Sequence, residues 1–135
     1  MVELRDDQRR IRVSALRLKR QAQQVLEALG LGERTLSILL TDDRRMAGFH
    51  ERWMGEEGPT DVMSFSMGDA AVPGLLGDVV ISVETAARRR PRDVFGETRR
   101  YLVHGILHLA GHDHRTRKER ERMNRLARAV GRSLR

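Results

Sequence analysis

The sequence contains no cysteine. Disulfides and thiolate metal sites are therefore excluded, and any transition metal must rest on nitrogen and oxygen ligands. Aromatic residues are scarce, with three Phe, one Tyr and one Trp among 135 residues. That is too few for an extended platform on which bases could stack. No apolar run approaches the length of a signal core or a membrane span, and Asp6 and Asp7 follow the N-terminus almost at once. A soluble cytoplasmic protein with no membrane attachment is the expectation, and the lack of cysteine is compatible with a reducing compartment. Linkers, internal repeats and low-complexity stretches are not discernible, so the size prior gives one domain over residues 1–135 with a single core.

What the chain does have is positive charge. The formal net charge is +7 and the sequence pI about 11.2, with arginine greatly outnumbering lysine among 26 basic residues. The planar guanidinium fork suits phosphate better than a point charge does. A polyanion, most simply nucleic acid, becomes the leading partner class. The plainer alternative is that arginine serves here as the general surface cation.

Histidine is concentrated in one place. Four of the five histidines lie in His104-Gly105-Ile106-Leu107-His108-Leu109-Ala110-Gly111-His112-Asp113-His114. On a helix, His104 and His108 share a face, with Cβ atoms roughly 6 Å apart, and two imidazoles so placed can grip one metal ion. On an unbroken helix His114 would sit about 280° round the axis from His104 and would miss. Gly111 is the natural stop, because glycine accepts the left-handed conformation that ends many helices and lets the chain double back. His114 could then complete a three-histidine face with one position open for water or substrate, the arrangement of a catalytic rather than a structural zinc. Histidine nitrogens also suit nickel or another divalent metal. His112 reads as a surface or supporting residue. Asp113 is a candidate for orienting a ligating imidazole or taking a proton, with a turn-forming role as the alternative.

The rest of the chain supplies a frame for this segment. Val2 to Arg5 and Ile11 to Val13 suggest an edge strand and its return. Ser14 to Gly30 reads as a capped core helix, Thr35 to Thr41 as a buried strand, and the stretch after Asp42 or Asp43 as a helix carrying Met46, Phe49 and Trp53 and ending at Gly55. A turn at Gly58-Pro59 precedes a strand from Thr60 to Met67, with Val62, Phe65 and Met67 packing. A connection over Gly68 to Gly74 leads to a second strand, Leu75 to Val83, interrupted at Gly77-Asp78. Pro91 separates a short helix from a longer one over Val94 to Ala110, and Arg115 to Val130 forms a last amphipathic helix with Met123, Leu126, Ala127 and Val130 inward. The fold class is α+β, a small mixed sheet of about four strands packed with helices, with the three-histidine metal site at the end of a helix.

The spacing matches the zinc proteases reading H-E-x-x-H-x-x-G-x-x-H, except that Gly105 stands where they carry the general-base glutamate. A peptidase so built would lack the group that deprotonates water. His104 to His114 instead resembles the H-G-x-L-H-L-x-G-Y-D-H signature of the YbeY-type rRNA maturation endoribonucleases, with His112 in place of tyrosine. Pro59-Thr60-Asp61-Val62-Met63-Ser64-Phe65 is similar to that family's P-T-D-V-L-S-F, and Gly77-Asp78-Val79-Val80-Ile81-Ser82 to its G-D-I-x-I-S. The resemblance covers most of the chain from about Thr35 onward. It implies a zinc ion on His104, His108 and His114, and cleavage of single-stranded RNA in rRNA processing and ribosome quality control. The implied partners are rRNA precursors, the small ribosomal subunit, and ribosomal proteins or assembly factors.

One departure stands out. Where the family has L-N-x-x-Y-R before P-T-D-V, this chain places His50 at the asparagine position and Met54 at the arginine position. Methionine cannot donate to a phosphate. Arg52 is about 200° away on a helix, whereas His50, four residues before Met54, lies on nearly the same face and becomes a second candidate catalytic residue. Asp61, Ser64 and Asp78 have structural readings first, as turn, strand and kink residues. Two rival functions follow: a non-catalytic ribosome-assembly factor that keeps zinc as a staple, and a zincin-like peptidase, which Gly105 argues against.

Overall fold

Burial that alternates along the strands gives the sheet two unequal faces. The computed structural model describes residues 1–54, 62–66, 74–112 and 114–135, with Trp53, Met54 and Ser66 described as backbone only. In chain order the elements are β1 (Val2–Asp6), α1 (Ala15–Ala28), β2 (Thr35–Thr41), α2 (Asp43–Met54), β3 (Val62–Ser66), β4 (Leu75–Ser82), α3 (Val83–Arg89), α4 (Val94–Leu109) and α5 (Arg117–Ser133). The strand order is β1-β2-β4-β3, with β1, β2 and β4 parallel and β3 antiparallel to β4. This is the expected α+β class with a mixed four-stranded sheet.

Leu36, Ile38 and Leu40 of β2, and Val79 and Ile81 of β4, recur two residues apart and so point to one side. There they meet Leu18, Ala22 and Val25 of α1, Leu102 and Ile106 of α4, and Met123 and Val130 of α5. Leu39 and Val80, offset by one residue, point to the other side and join Met63 and Phe65 of β3 against Met46 and Phe49 of α2. Thus α4 lies across the main face with β3 and β4 beneath it. Among the described residues no helix is long and apolar enough to cross a membrane.

The ends of the helices follow from short polar side chains. The Ser14 hydroxyl accepts from the Arg17 amide at 3.2 Å and starts α1. At α2 it is Asp42, not Asp43, that caps, accepting from the Arg45 amide at 2.8 Å. Asp43 instead accepts hydrogen bonds from the Ser82 hydroxyl (2.5 Å), the Thr85 hydroxyl (2.6 Å) and the Arg88 guanidinium. It thereby ties the start of α2 to the junction of β4 and α3. Burial pushes the Asp43 carboxyl up, but these donors together outweigh it and hold the group below its ordinary 3.8. Ionised Asp43 therefore contributes stability that is present above that pH and is lost as pH falls through the folded value. Asp43→Asn is expected to cost about 1–3 kcal/mol at neutral pH and markedly less near pH 3. Denaturant melts at the two pH values check this, and equal losses at both would refute it.

Two expectations are corrected. Ile11 to Val13 is not a returning strand, because the Gln8 side chain takes both backbone groups of Ile11, accepting from its amide at 3.0 Å and donating to its carbonyl at 2.7 Å. β4 runs unbroken through Gly77-Asp78, and the irregularity appears as a register shift between Thr35 and Leu36 in its pairing with β2. Gly77 has φ +153°, and a Cβ there would stand 2.3 Å from the Phe65 carbonyl oxygen, so β3 can lie close only against glycine. In β3, Val62 and Phe65 pack as expected, Val62 against the main core and Phe65 against the second, where Met63 is the buried β3 residue. The turn at Gly58-Pro59, the helix end at Gly55, the connection from Gly68 through Pro73, and Asp61, Met67 and Asp113 lie outside the described residues, as do the side chains of Trp53 and Met54.

Candidate metal centre

Helix α4 begins where the Asp93 carboxylate accepts from the Gly96 amide at 3.0 Å. Arg100, His104 and His108 then follow at four-residue steps and form one stripe along it. The helix stops where the sequence predicts. The Gly111 amide donates to the His108 carbonyl at 3.1 Å and the His112 amide to the Leu107 carbonyl at 3.0 Å, with Gly111 at φ +102°. This paired closure is the Schellman motif, which requires a left-handed residue at the position of Gly111. It turns the chain back so that the His114 ring meets the His108 ring edge-on, with centroids 4.8 Å apart and planes at 82°.

His104, His108 and His114 line one cleft of about 710 Å³. His50 of α2 and Ser64 of β3 line it from one side, and Arg120 and Asn124 of α5 also line it. No carboxylate is among its described lining residues. His112 lines a separate hollow with Arg115 and Arg122, and Asp78 lines another on the α2 face of the sheet. Arg52 is exposed and not part of the cleft lining.

The donor set suits a zinc-like ion: imidazole nitrogens only, two of them on rings whose 4.8 Å separation is close to the roughly 5 Å that two tetrahedral imidazole ligands at about 2.1 Å impose. As the side chains stand, no three His, Asp or Glu among the described residues converge closely enough to hold one ion.

Two neighbours set the electrostatics. Arg100 donates to both oxygens of the Glu97 carboxylate, each at 2.9 Å, and lies 5.4 Å over the Tyr101 ring. The Arg100 hydrogen bonds, opposed by burial and helped by Tyr101, hold the Glu97 carboxyl below its usual range. Burial pushes the Tyr101 phenol up, so this cleft residue is a neutral hydroxyl across the physiological range.

Gly105 has a structural reason. A Cβ there would stand 2.8 Å from Val79 Cγ1 and 3.2 Å from Ser64 Oγ, and the Ser64 hydroxyl already donates to the Gly105 carbonyl at 3.3 Å. α4 is pressed so closely onto β3 and β4 that the position has no room for a side chain. Sequence reasoning did not find Arg100, Arg120 or Asn124. The first carried a usable signal, since it stands four residues before His104 on the same stripe. The other two depend on how α5 docks, which no local spacing reports.

The family model described as "Endoribonuclease YbeY" matches residues 3–135. Proteins called "Endoribonuclease YbeY" include one from Anaeromyxobacter sp. strain Fw109-5, 45% identical over 138 residues, covering 96% of this chain and 72% of that protein. Another, from Anaeromyxobacter dehalogenans, is 46% identical over 126 residues, covering 87% and 65%. A third, from Thermus thermophilus, is 37% identical over 132 residues, covering 93% and 95%. The solution structure of a Thermotoga maritima protein superposes with a TM-score of 0.60 at 21% identity, covering 96% of this chain and 89% of that one, and bears on the fold alone.

Proposed function

The chain belongs to the YbeY endoribonuclease family, and on that premise we propose that it is a zinc-dependent endoribonuclease that cuts single-stranded RNA in rRNA maturation and ribosome quality control. The ligands are His104, His108 and His114, and nickel or another divalent ion is the alternative metal. The observation that carries this reading is the gathering of the three histidines in one cleft, with His108 and His114 ring against ring. The partners are rRNA precursors on the small ribosomal subunit, with ribosomal proteins or assembly factors, and the place of action is the cytoplasm.

When bound, the ion supplies Lewis acidity, lowering the pKa of water or offsetting charge on the phosphate as the transition state forms. The chain's own residues do the rest. Arg100 is tied to both oxygens of Glu97, so it lines the cleft as a fixed, neutralised pair. Tyr101 is kept protonated and can only donate or accept as a neutral hydroxyl. His50 lines the same cleft as the three histidines, which supports it as a group that holds or moves a proton near the phosphate. Asp113, beside His114 in sequence, is the other candidate.

The packing of Gly105 weighs against a peptidase, since a general-base glutamate has no space there. Metal-loaded protein is to be incubated with single-stranded RNA and, separately, with casein. RNA cleavage that disappears on metal removal is the expected result. Casein cleavage would instead favour the peptidase, and neither activity with zinc still bound would leave a ribosome-assembly factor with a structural metal.

A further inference from the structure

We propose that Arg120, on α5, is the residue that holds a substrate phosphate in the histidine cleft. The inference rests on the RNA-cleaving reading above and assigns it a binding residue on an element that carries none of the histidines. Arg120 lines the cleft together with Asn124, one helical turn further on, while Met123 between them anchors the helix in the core. The side chain is exposed, so its charge reaches solvent and any strand entering the cleft.

No acid at ion-pairing distance along α5 compensates that charge. On a helix, ion pairs form between residues three or four apart, and the residues at those distances from Arg120 are Thr116, Arg117, Met123 and Asn124, none of them acidic. Glu121, the nearest acid that is paired on α5, is bonded to Arg117 at 3.1 Å. Arg100 differs, because both of its hydrogen bonds to Glu97 hold it in a neutralised pair. The cleft thus has one cation already satisfied and one presented for an anion, with no described carboxylate in its lining to repel that anion. A guanidinium fork can take two oxygens of one phosphate at once. Asn124, one turn along, offers an amide donor to the same group or to a neighbouring ribose.

The test uses the full chain with its metal, a fluorescein-labelled single-stranded 2′-O-methyl oligouridylate, and anisotropy across a salt series, with a gel to verify that the probe stays intact. Arg120→Gln is expected to weaken binding about tenfold or more and to reduce the salt slope by about 0.7, the contribution of one phosphate contact on a single strand. Arg132→Gln makes the same charge change about 18 Å further along α5 and is expected to alter affinity less than twofold. Arg120→Lys is expected to restore the salt slope with only part of the affinity, since an ammonium keeps the charge and loses the fork. Equal weakening by Arg120→Gln and Arg132→Gln would overturn the proposal, as would a wild-type affinity in Arg120→Gln. RNA binding that depends on Arg120 without any cleavage of unmodified RNA would leave the proposal standing and overturn the catalytic reading. Absence of RNA binding by the wild type would overturn both.

Discussion

His108→Ala is expected to lose the metal and the RNA cleavage together while the fold survives. His108 occupies the middle of the cluster, four residues after His104 and ring to ring with His114 at 4.8 Å. Removing it leaves two of the three imidazoles, one on α4 and one beyond the Gly111 turn. Changes to groups that merely support a metal ligand cost roughly 10- to 100-fold in affinity, so loss of a ligand itself should exceed about 100-fold. The fold should tolerate the change, because His108 is half-buried at the cleft and alanine is the better helix former. Metal content by elemental analysis, cleavage of single-stranded RNA, and a thermal melt give the three readouts. His112→Ala is the control, since His112 lines a different hollow, and it should keep its metal. Full zinc occupancy in His108→Ala would sink the three-histidine assignment.

Gly105→Glu, the substitution that would recreate the protease pattern, is expected to be the most destabilising single change at the site. The first side-chain atom already meets Val79 Cγ1 at 2.8 Å and Ser64 Oγ at 3.2 Å. Val79 is fully buried on β4, and a β-branched side chain has no easy rotamer in which to move aside. Overpacking of this kind costs about 1–3 kcal/mol, and a carboxylate buried without partners adds several more. Together they should lower Tm by at least about 10 °C. Gly105→Ala separates the two effects, because the helix gains up to about 1 kcal/mol from alanine while the contact with Val79 remains. Val79→Ala in the same chain should relieve that contact and leave a smaller combined loss than the two single changes predict. A Gly105→Ala protein more stable than the wild type would mean that α4 is not held against β4 as described.

These two residues show where the sequence was legible. The histidine spacing, the helix stop at Gly111 and the capped helix starting after Ser14 are short-range matters, set by residues within a turn or two of one another. The helix stop and the cap are found as expected, and His108 and His114 stand ring to ring. β2 over Thr35–Thr41 was equally readable, because seven residues of apolar and β-branched character leave little choice. The return strand at Ile11 to Val13 failed because a single side chain, Gln8, satisfied the backbone groups that a ladder would have used. That Gly105 stands where the protease base would be is plain from the sequence, but its steric cause is a contact to a residue 26 positions earlier in the chain.

By itself the sequence determined the chemistry on offer: nitrogen ligands without thiolates, an excess of arginine, and a stop that could fold His114 back toward His108. Those properties belong to residue types and to spacings of three, four and seven, which local backbone geometry converts directly into faces and ends. Only the tertiary structure decided the company this chemistry keeps. His50 from α2, Ser64 from β3, and Arg120 and Asn124 from α5 reach the same cleft because the sheet order and the docking of α5 on the main core bring them there. Such contacts join residues far apart in the chain, and no local periodicity encodes which of several apolar faces will meet.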